Sequence, residues 1–268
     1  MPVRVIGMIG VTPPGGEATV HIIKGGISAP YLRSYAQAHD KAGFDLALVG
    51  YTASSAEGFL VAQYAAQHTE RLGYLIAHRP GFVAPTLAAR KIATFDHLTD
   101  GRIAIHIISG ASDAEQENDG DFAPKEVRYR RAGEYIEVMK LAWTSSKRFD
   151  FDGEFFQVEG ATTREIPDPL PEIYFGGASE SAEAVAAEHV DVYLAWGEPP
   201  AMVAERVERM RALAATAGRT LALGIRFHVI ARPTADEAWA AANALVDAMD
   251  PADIAEAQRA ARNWLAAG

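Results

Sequence analysis

The feature that most constrains the fold is a regular alternation of short apolar runs with segments of helical spacing, joined by short connections. The apolar runs have the length and branched side chains of β-strands, whereas the segments between them repeat apolar residues every three or four positions. Parallel strands need crossover connections, usually helices, so the alternation predicts a parallel sheet covered by helices. No linker-like stretch or internal repeat divides the chain, and we expect residues 1–268 to form a single domain.

The predicted elements follow the chain in order. Strands are expected at residues 3–10, 46–51, 72–77, 103–108, 173–175, 190–196 and 221–230. Helices are expected at residues 31–42, 56–68, 85–98, 127–144, 179–189, 200–217, 235–249 and 254–265. Residues 149–158, in which Asp152-Gly153 separates two Phe-rich arms, predict a small hairpin insertion. Seven strands fit an open doubly wound sheet as well as an incomplete (β/α)8 barrel, so periodicity alone leaves both open.

Composition excludes several classes of protein. The chain has 35 acidic and 25 basic residues, and its net charge of -10 argues against a general nucleic-acid or anionic-membrane binder. It contains no cysteine, which excludes disulfides, thiolate metal sites and cysteine nucleophiles. Residues 5–11 form an apolar run that is too short and too glycine-rich for a signal peptide or membrane span. We expect a cytoplasmic protein.

The predicted strand at residues 221–230 has an unusual distribution of charge. Because side chains alternate along a strand, Ile225 and Phe227 share one face while Arg226 and His228 share the other. An arginine keeps its proton, so inside a fold it needs an anion or a solvated cleft. The partner of Arg226 is either a carboxylate from elsewhere in the chain or a ligand.

In a (β/α)8 barrel the chemistry lies at the carboxyl ends of the strands. These ends carry Tyr51, Thr52, His78, Arg79, His106, Ser109, Gly110, Gly176, Gly177, Ala178, Ser179, Trp196, Arg226 and His228. Their polar and aromatic character contrasts with the aliphatic strand bodies and indicates an enzyme-like cleft.

Individual residues at these ends have alternative interpretations. The turn at residues 176–179 allows close backbone approach and places Ser179 at a helix N-terminus, which suits a phosphate, but a tight turn with an N-cap serine also explains it. His106 lies between Ile105 and Ile107 and is expected to point inward, as a ligand or as a satisfied core residue. Trp196 also fits the core. No dinucleotide fingerprint, Walker loop or zinc-type histidine spacing is present, and no metal site is predicted.

Longer motifs carry a resemblance to a known family. They lie at residues 86–102, 106–110, 128–129, 173–179, 191–200 and 224–230. The chain resembles the flavin-dependent bacterial-luciferase-like monooxygenases over nearly its whole length. The Trp-Gly-Glu-Pro-Pro stretch at residues 196–200 and the Ile-Arg-Phe-His stretch at residues 225–228 are most similar to the alkanesulfonate monooxygenases.

The resemblance implies a fold and an activity. The expected fold is a (β/α)8 TIM barrel of the luciferase-like type. The expected cofactor is reduced FMN, supplied by a separate NAD(P)H-dependent flavin reductase. Oxygen would add to the flavin to give a peroxyflavin that attacks an alkanesulfonate, releasing sulfite and an aldehyde. The resemblance also implies a homodimer or homotetramer.

The resemblance further implies roles for particular residues. The FMN phosphate would be held by Gly177, Ala178, Ser179, Arg128 and Tyr129, and the residues near the flavin would be Tyr51, Thr52, His106 and Glu115. The substrate pocket would be formed by the catalytic residues Trp196, Arg226 and His228. A guanidinium at position 226 can stabilise a sulfonate or peroxide, and His228 can exchange a proton near neutral pH.

The chain departs from the family at several positions. His106 stands where asparagine is usual, Ser55 where the alkanesulfonate enzymes usually have cysteine, and Val127 where glutamate is usual. Nothing matches the family's mobile lid, eighth strand and closing helix, so we expect a truncated or incompletely represented chain. Two other functions stay open. One is a deazaflavin (F420)-dependent hydride-transfer enzyme of the same superfamily, and the other is a non-catalytic flavin-binding relative.

Overall fold

The computed structural model of the chain describes residues 3–13, 26–110, 112–252, 254–256 and 258–259. The strands are β1 (Ile6–Met8), β2 (Leu46–Val49), β3 (Gly73–His78), β4 (Ile103–Ile107), β5 (Phe149–Asp152), β6 (Gln157–Ala161), β7 (Ile173–Gly176), β8 (Val192–Trp196) and β9 (Ala222–Arg226). Strands β5 and β6 form an antiparallel ribbon, the predicted hairpin. The other strands form one 7-stranded sheet in the order β1-β2-β3-β4-β7-β8-β9, and all of its pairings are parallel.

Helices connect most of the parallel strands. They are α1 (Ala29–Ala42), α2 (Gly58–Ala66), α3 (Pro85–Leu98), α4 (Asp113–Glu117), α5 (Lys125–Thr144), α6 (Glu180–His189), α7 (Pro200–Thr216) and α8 (Ala235–Asp247). Local sequence sets their ends. Ser28 caps α1, and Gly43 ends it in the left-handed conformation that glycine tolerates best.

Apolar side chains cover both faces of the sheet, because successive residues of a strand point to opposite sides. On β4, Ile105 and Ile107 belong to the main core between the sheet and the helices. Ala104 points the other way and packs with Leu75 in a smaller core inside the curl of the sheet. His106 is the next inward residue, and it lies where this inner core gives way to a cavity.

The sheet curls into an incomplete barrel. Arg226 at the end of β9 reaches Met8 of β1, with 4.0 Å between Nη2 and Sδ. Arg4, before β1, forms an ion pair with Glu172, before β7. The strands follow the chain order around the sheet, without the reversal that a doubly wound sheet has at its switch point. The predicted barrel-type fold is therefore confirmed, with seven strands in the part of the chain that the structure describes.

Some predicted boundaries were wrong. β9 ends at Arg226 rather than at residue 230, because its partner Trp196 is the last residue of β8 and no described strand continues the pairing. His228 therefore lies beyond the strand. Helix α5 begins at Lys125 and not at residue 127, and the short helix α4 was not predicted. Most of the helix predicted at residues 254–265 lies outside the described residues.

None of the helices in the described ranges is both long enough and apolar enough to cross a membrane.

Candidate active site

A cavity of about 430 Å³ opens at the carboxyl ends of the parallel strands. Its volume falls in the range typical of sites for small molecules and cofactors. It is lined by Leu48, Tyr51, Thr52, Arg79, His106, Ile108, Ser109, Gly110, Ser112, Glu115, Lys125, Tyr129, Gly176, Gly177, Ala178, Ser179, Leu194, Ala195, Trp196 and Arg226. Most of the residues that the sequence analysis placed in one site are therefore brought together here.

The turn between β7 and α6 forms one wall of the cavity. A Cβ atom on Gly176 would lie 3.1 Å from the carbonyl oxygen of Leu194, and one on Gly177 would lie 2.6 Å from the Cβ of Ala182. Only glycine fits this backbone path. Ser179 caps α6, and its Oγ accepts a hydrogen bond from the amide of Ala182 at 3.4 Å. The N-terminus of α6, with its partial positive charge, thus borders the cavity.

Two side chains of α5 complete this wall. Tyr129 is buried against Phe175, with 6.1 Å between the ring centres. Burial raises the pKa of Tyr129, and a hydrogen bond with the Ser179 side chain opposes this effect. Lys125, the first residue of α5, has its Nζ 6.0 Å from the centre of the Tyr129 ring and forms no ion pair with a described residue. This combination of hydroxyls, helix N-terminus and lysine suits a phosphate or another anion.

A buried arginine organises a second wall. Arg79 donates to both oxygens of Glu115 at 2.6 and 2.9 Å and to Oδ2 of Asp119 at 3.0 Å. The Tyr51 hydroxyl donates to the same oxygen of Asp119 at 2.7 Å, and the Arg79 guanidinium lies 4.4 Å from the centre of the Tyr51 ring. Burial, followed by the hydrogen bond to Asp119, raises the pKa of Tyr51 to about 12. The guanidinium is therefore neutralised within the wall, and Tyr51 keeps its proton.

Three buried polar atoms in this region have no hydrogen-bond partner among the described residues. They are Ser109 Oγ, Gln116 Oε1 and Arg79 Nε. Ser109 and Arg79 line the cavity, whereas Gln116 packs so closely against Gly110 that a Cβ atom there would overlap its side-chain amide. Since buried polar groups normally find partners, this part of the cavity has hydrogen-bonding capacity for a ligand or for water.

The third group of residues lies toward β9. His106 faces the cavity, and burial, together with the nearby charge of Arg226, lowers its pKa to about 4. The imidazole is therefore neutral at pH 7. The Arg226 guanidinium lies 4.9 Å from the centre of the Trp196 ring, and Trp196 is exposed. This end of the cavity is cationic and aromatic.

Two predicted site residues lie outside the cavity lining. Arg128 is buried behind the wall, where it donates to the carbonyl oxygens of Ser109 at 2.9 Å and Ala123 and to Asp113 at 2.8 Å. Its guanidinium braces the loop after β4. His228 is exposed in the segment after β9, because the strand alternation on which its inward placement depended ends at Arg226.

Sequence reasoning missed Lys125 and the ion pairs of Arg79. The predicted helix begins at residue 127, so Lys125 lies before it and no pattern indicates that this lysine faces the cavity. Arg79 is predicted only as a strand-end residue, and the prediction does not include Asp119. The short spacing of Glu115 and Asp119, which is that of one helical turn, was the available signal.

Comparisons with known proteins agree with this architecture. An EDTA monooxygenase from Chelativorans sp. BNC1 superimposes with a TM-score of 0.73 at 21% identity, over 83% of this chain and 60% of that one. A riboflavin lyase solved with modified FMN and riboflavin gives a TM-score of 0.78 at 21% identity, over 92% of this chain and 67% of that one. An F420-dependent secondary alcohol dehydrogenase gives 0.69 at 19% identity, over 83% and 68%.

At these identities the likenesses show the fold alone, and the chain spans about 60% of the length of the EDTA monooxygenase. Comparison with the sequence profile of a family gives information beyond the fold. The profile of the family described as luciferase-like monooxygenase matches residues 8–268, which is nearly the whole chain. The chain belongs to the luciferase-like monooxygenase family.

Proposed function

We propose that this protein binds reduced FMN in the cavity and uses O2 to oxidise an organosulfonate to an aldehyde and sulfite. The observation that carries the proposal is that one cavity joins a phosphate-type turn at Gly177 to a cationic and aromatic end at Arg226 and Trp196. The first feature suits the phosphate of a flavin mononucleotide, and the second suits a small anionic substrate beside it.

The residues fit FMN on two structural grounds. A Cβ on Gly177 would lie 2.6 Å from the Cβ of Ala182, so glycine lets the turn pack closely on the N-terminus of α6, where a phosphate would bind. Ser109 Oγ is buried without a partner among the described residues, so a ligand with hydrogen-bonding groups would satisfy it. In this proposal Gly177, Ala178, Ser179 and Tyr129 hold the phosphate with Lys125, and Arg128 fixes the loop behind them. Tyr51, Thr52, His106 and Glu115, which line the same cavity, would lie near the ring system.

The protein's residues would have distinct roles in the reaction. Bound reduced FMN would supply two electrons to the reaction. One oxygen atom of O2 would end in the aldehyde and the other in water, and the C–S bond would break to release sulfite. Arg226 would bind the sulfonate and Trp196 would hold the guanidinium and exclude water. His106, neutral at pH 7, can donate one hydrogen bond and accept another. We keep His228 as a proposed proton donor, and in the structure it is exposed in the segment after β9, outside the cavity lining.

The proposal extends to partners and location. A separate NAD(P)H-dependent flavin reductase would supply reduced FMN, and the protein would act in the cytoplasm as a homodimer or homotetramer. Two structural neighbours support flavin chemistry: an EDTA monooxygenase and a riboflavin lyase solved with modified FMN share the fold.

A second function is supported by one observation. An F420-dependent secondary alcohol dehydrogenase shares the fold, with a TM-score of 0.69. The alternative is therefore hydride transfer between a secondary alcohol and F420. Hydride transfer of this kind needs neither O2 nor a site for a sulfonate. Arg226 would then have no anionic substrate to bind.

The two functions are tested in parallel arms. The protein is mixed with reduced FMN, air-saturated buffer and alkanesulfonates of two to ten carbons, and sulfite is assayed. In the other arm it is incubated without oxygen with F420 and short secondary alcohols, and F420 absorbance is followed. Oxygen-dependent sulfite release would support the proposal. Bleaching of F420 with no sulfite in the first arm would replace it with the alternative.

A further inference from the structure

A buried ion-pair network lies directly behind the wall that borders α6. Its centre is Arg206 of α7, which donates from Nε and Nη2 to Glu198 at 3.1 to 3.2 Å and from Nη1 to Glu183 at 3.2 Å. The side chains of Arg206, Glu198 and Glu183 are 11%, 10% and 4% exposed. The network therefore ties three segments together: the first turn of α6, the loop after β8, and α7.

Tyr193 connects this network to the turn at the cavity. It is a buried residue of β8 on the helix side of the sheet, and its hydroxyl donates to the carbonyl oxygen of Gly177 at 2.5 Å. The positive charge of the Arg206 guanidinium acts on the same hydroxyl and opposes the rise in the pKa of Tyr193 that burial causes. The hydroxyl donates to Gly177 beside this cation, and a nearby positive charge makes a hydroxyl a stronger donor.

The orientation of one carbonyl fixes the orientation of the next amide. In a planar trans peptide the C=O and N–H groups point in opposite directions. Because Tyr193 holds the Gly177 carbonyl on the helix side, the N–H of Ala178 must point away from Tyr193. Ala178 lines the cavity and Tyr193 does not.

We infer that Arg206 and Glu198 are positioning residues that act through Tyr193 to aim the Ala178 amide into the cavity as an anion donor. Glu198 holds the guanidinium from the loop after Trp196, and Glu183 holds it from α6. The Trp-Gly-Glu-Pro-Pro stretch at residues 196–200 would then link the aromatic end of the cavity to its phosphate end. This inference rests on the proposed function for the identity of the anion, the phosphate of FMN.

The test separates the positioning of the turn from the binding of a flavin. Tyr193→Phe removes one hydroxyl, and Arg206→Met removes the charge at similar length. The matched controls are Tyr135→Phe, which removes a buried hydroxyl bound to His78, and Arg209→Met, which removes a guanidinium that contacts Glu183.

The first readout is amide hydrogen exchange in the ligand-free protein. Peptides covering residues 176–183 should exchange at least about fivefold faster in Tyr193→Phe than in the wild type, because the turn loses its fixed carbonyl. Tyr135→Phe should leave these peptides unchanged. Exchange rates that are unchanged in both Tyr193→Phe and Arg206→Met would overturn the inference. If Arg206→Met does not fold, unchanged exchange in Tyr193→Phe alone would overturn it.

The second readout is equilibrium binding of FMN and of riboflavin, which lacks the phosphate. Tyr193→Phe and Arg206→Met should weaken FMN binding about tenfold, the effect of about one misdirected hydrogen bond, and change riboflavin binding less than about twofold. Equal weakening of both ligands would overturn the inference. A wild type that binds neither flavin would overturn the proposed function, and hydrogen exchange would still decide whether Tyr193 positions the turn.

Discussion

The guanidinium carbon of Arg226 lies 4.9 Å from the centre of the Trp196 ring, and the two residues occupy paired positions at the ends of β9 and β8. Arg226 also contacts Met8, with 4.0 Å between Nη2 and Sδ. No carboxylate of the described residues lies within ion-pair distance. The cation is thus held by an aromatic ring and a sulfur atom, which leaves its charge available to an anion in the cavity.

The charge of Arg226 should be needed for an anionic substrate. Arg226→Met keeps the length of the side chain and should lower kcat/KM for an alkanesulfonate roughly 100-fold, or about 3 kcal/mol. Arg232→Met is the control, since Arg232 is exposed and, among the described residues, donates to the carbonyl of its neighbour Ala231. Steady-state sulfite release measures both variants. A loss of less than threefold in Arg226→Met would place the substrate elsewhere.

Lys125 should contribute to phosphate binding specifically. Its ammonium lines the cavity beside Tyr129 without a carboxylate partner in the described ranges. Lys125→Met should weaken FMN binding about tenfold at low salt and leave riboflavin binding within about twofold, with a smaller difference at high salt. Fluorescence titration gives both constants. Lys147→Met, at an exposed lysine before β5, should behave as the wild type.

The turn at Gly177 should not tolerate a side chain. Gly177→Ala places a Cβ 2.6 Å from the Cβ of Ala182, and the overpacking should cost about 1 to 3 kcal/mol of unfolding free energy as well as FMN affinity. Gly58→Ala is the matched control, because its new Cβ would meet Ile76 at an ordinary 3.4 Å in the first turn of α2. Urea unfolding compares the two. Equal stability of both variants would contradict the geometry of this turn.

The Glu115 carboxylate should stabilise the fold through Arg79. The Arg79 side chain is 3% exposed, so Glu115→Gln leaves a buried guanidinium that depends on Asp119 alone. We expect a loss of about 2 to 3 kcal/mol. Glu208→Gln breaks an exposed ion pair with Arg211 and should cost less than about 0.5 kcal/mol. Denaturant midpoints measure the difference in stability between the two variants. If both lost a similarly small free energy of unfolding, the ion pair of Arg79 with Glu115 would not stabilise the fold as a buried pair.

Acid should destabilise the protein through His78. Burial lowers the pKa of His78 from 6.5 to about 4. Between pH 4 and pH 6.5 His78 is protonated in the unfolded chain but neutral in the folded protein. The free energy of unfolding therefore falls as the pH drops through this range, by on the order of 3 kcal/mol. His78→Gln should reduce this pH dependence, and His97→Gln, at an exposed histidine, should not. Urea unfolding at pH 7, 6 and 5 tests it. If the free energy of unfolding fell more steeply with acid in His78→Gln than in the wild type, the downward direction of the His78 pKa shift would be contradicted.

The repeating parts of the fold could be predicted from the sequence. Helix α3 has the predicted bounds, because Pro85 suits a first helical turn and the apolar spacing continues to Leu98. The inward direction of His106 followed from its place between two core isoleucines. Both predictions depend only on local periodicity.

Features that depend on distant partners could not be predicted. The end of β9 is set by the length of β8, so the strand stops at Arg226 although branched residues continue. His228 therefore lies exposed beyond the strand and not on the inward face that strand alternation predicts for it. Arg128 was assigned to the phosphate, yet its donors are taken by carbonyls of the loop after β4 and by Asp113, and no spacing within α5 indicates this.

The most direct test of the account is the yield of sulfite in a single turnover. The protein is loaded without oxygen with one equivalent of reduced FMN and an alkanesulfonate, and is then mixed with oxygenated buffer. The account predicts sulfite approaching one equivalent per flavin oxidised in the wild type and close to none in Arg226→Met, although the flavin is oxidised in both. Complete flavin oxidation by the wild type without sulfite, for every sulfonate from two to ten carbons, would contradict it.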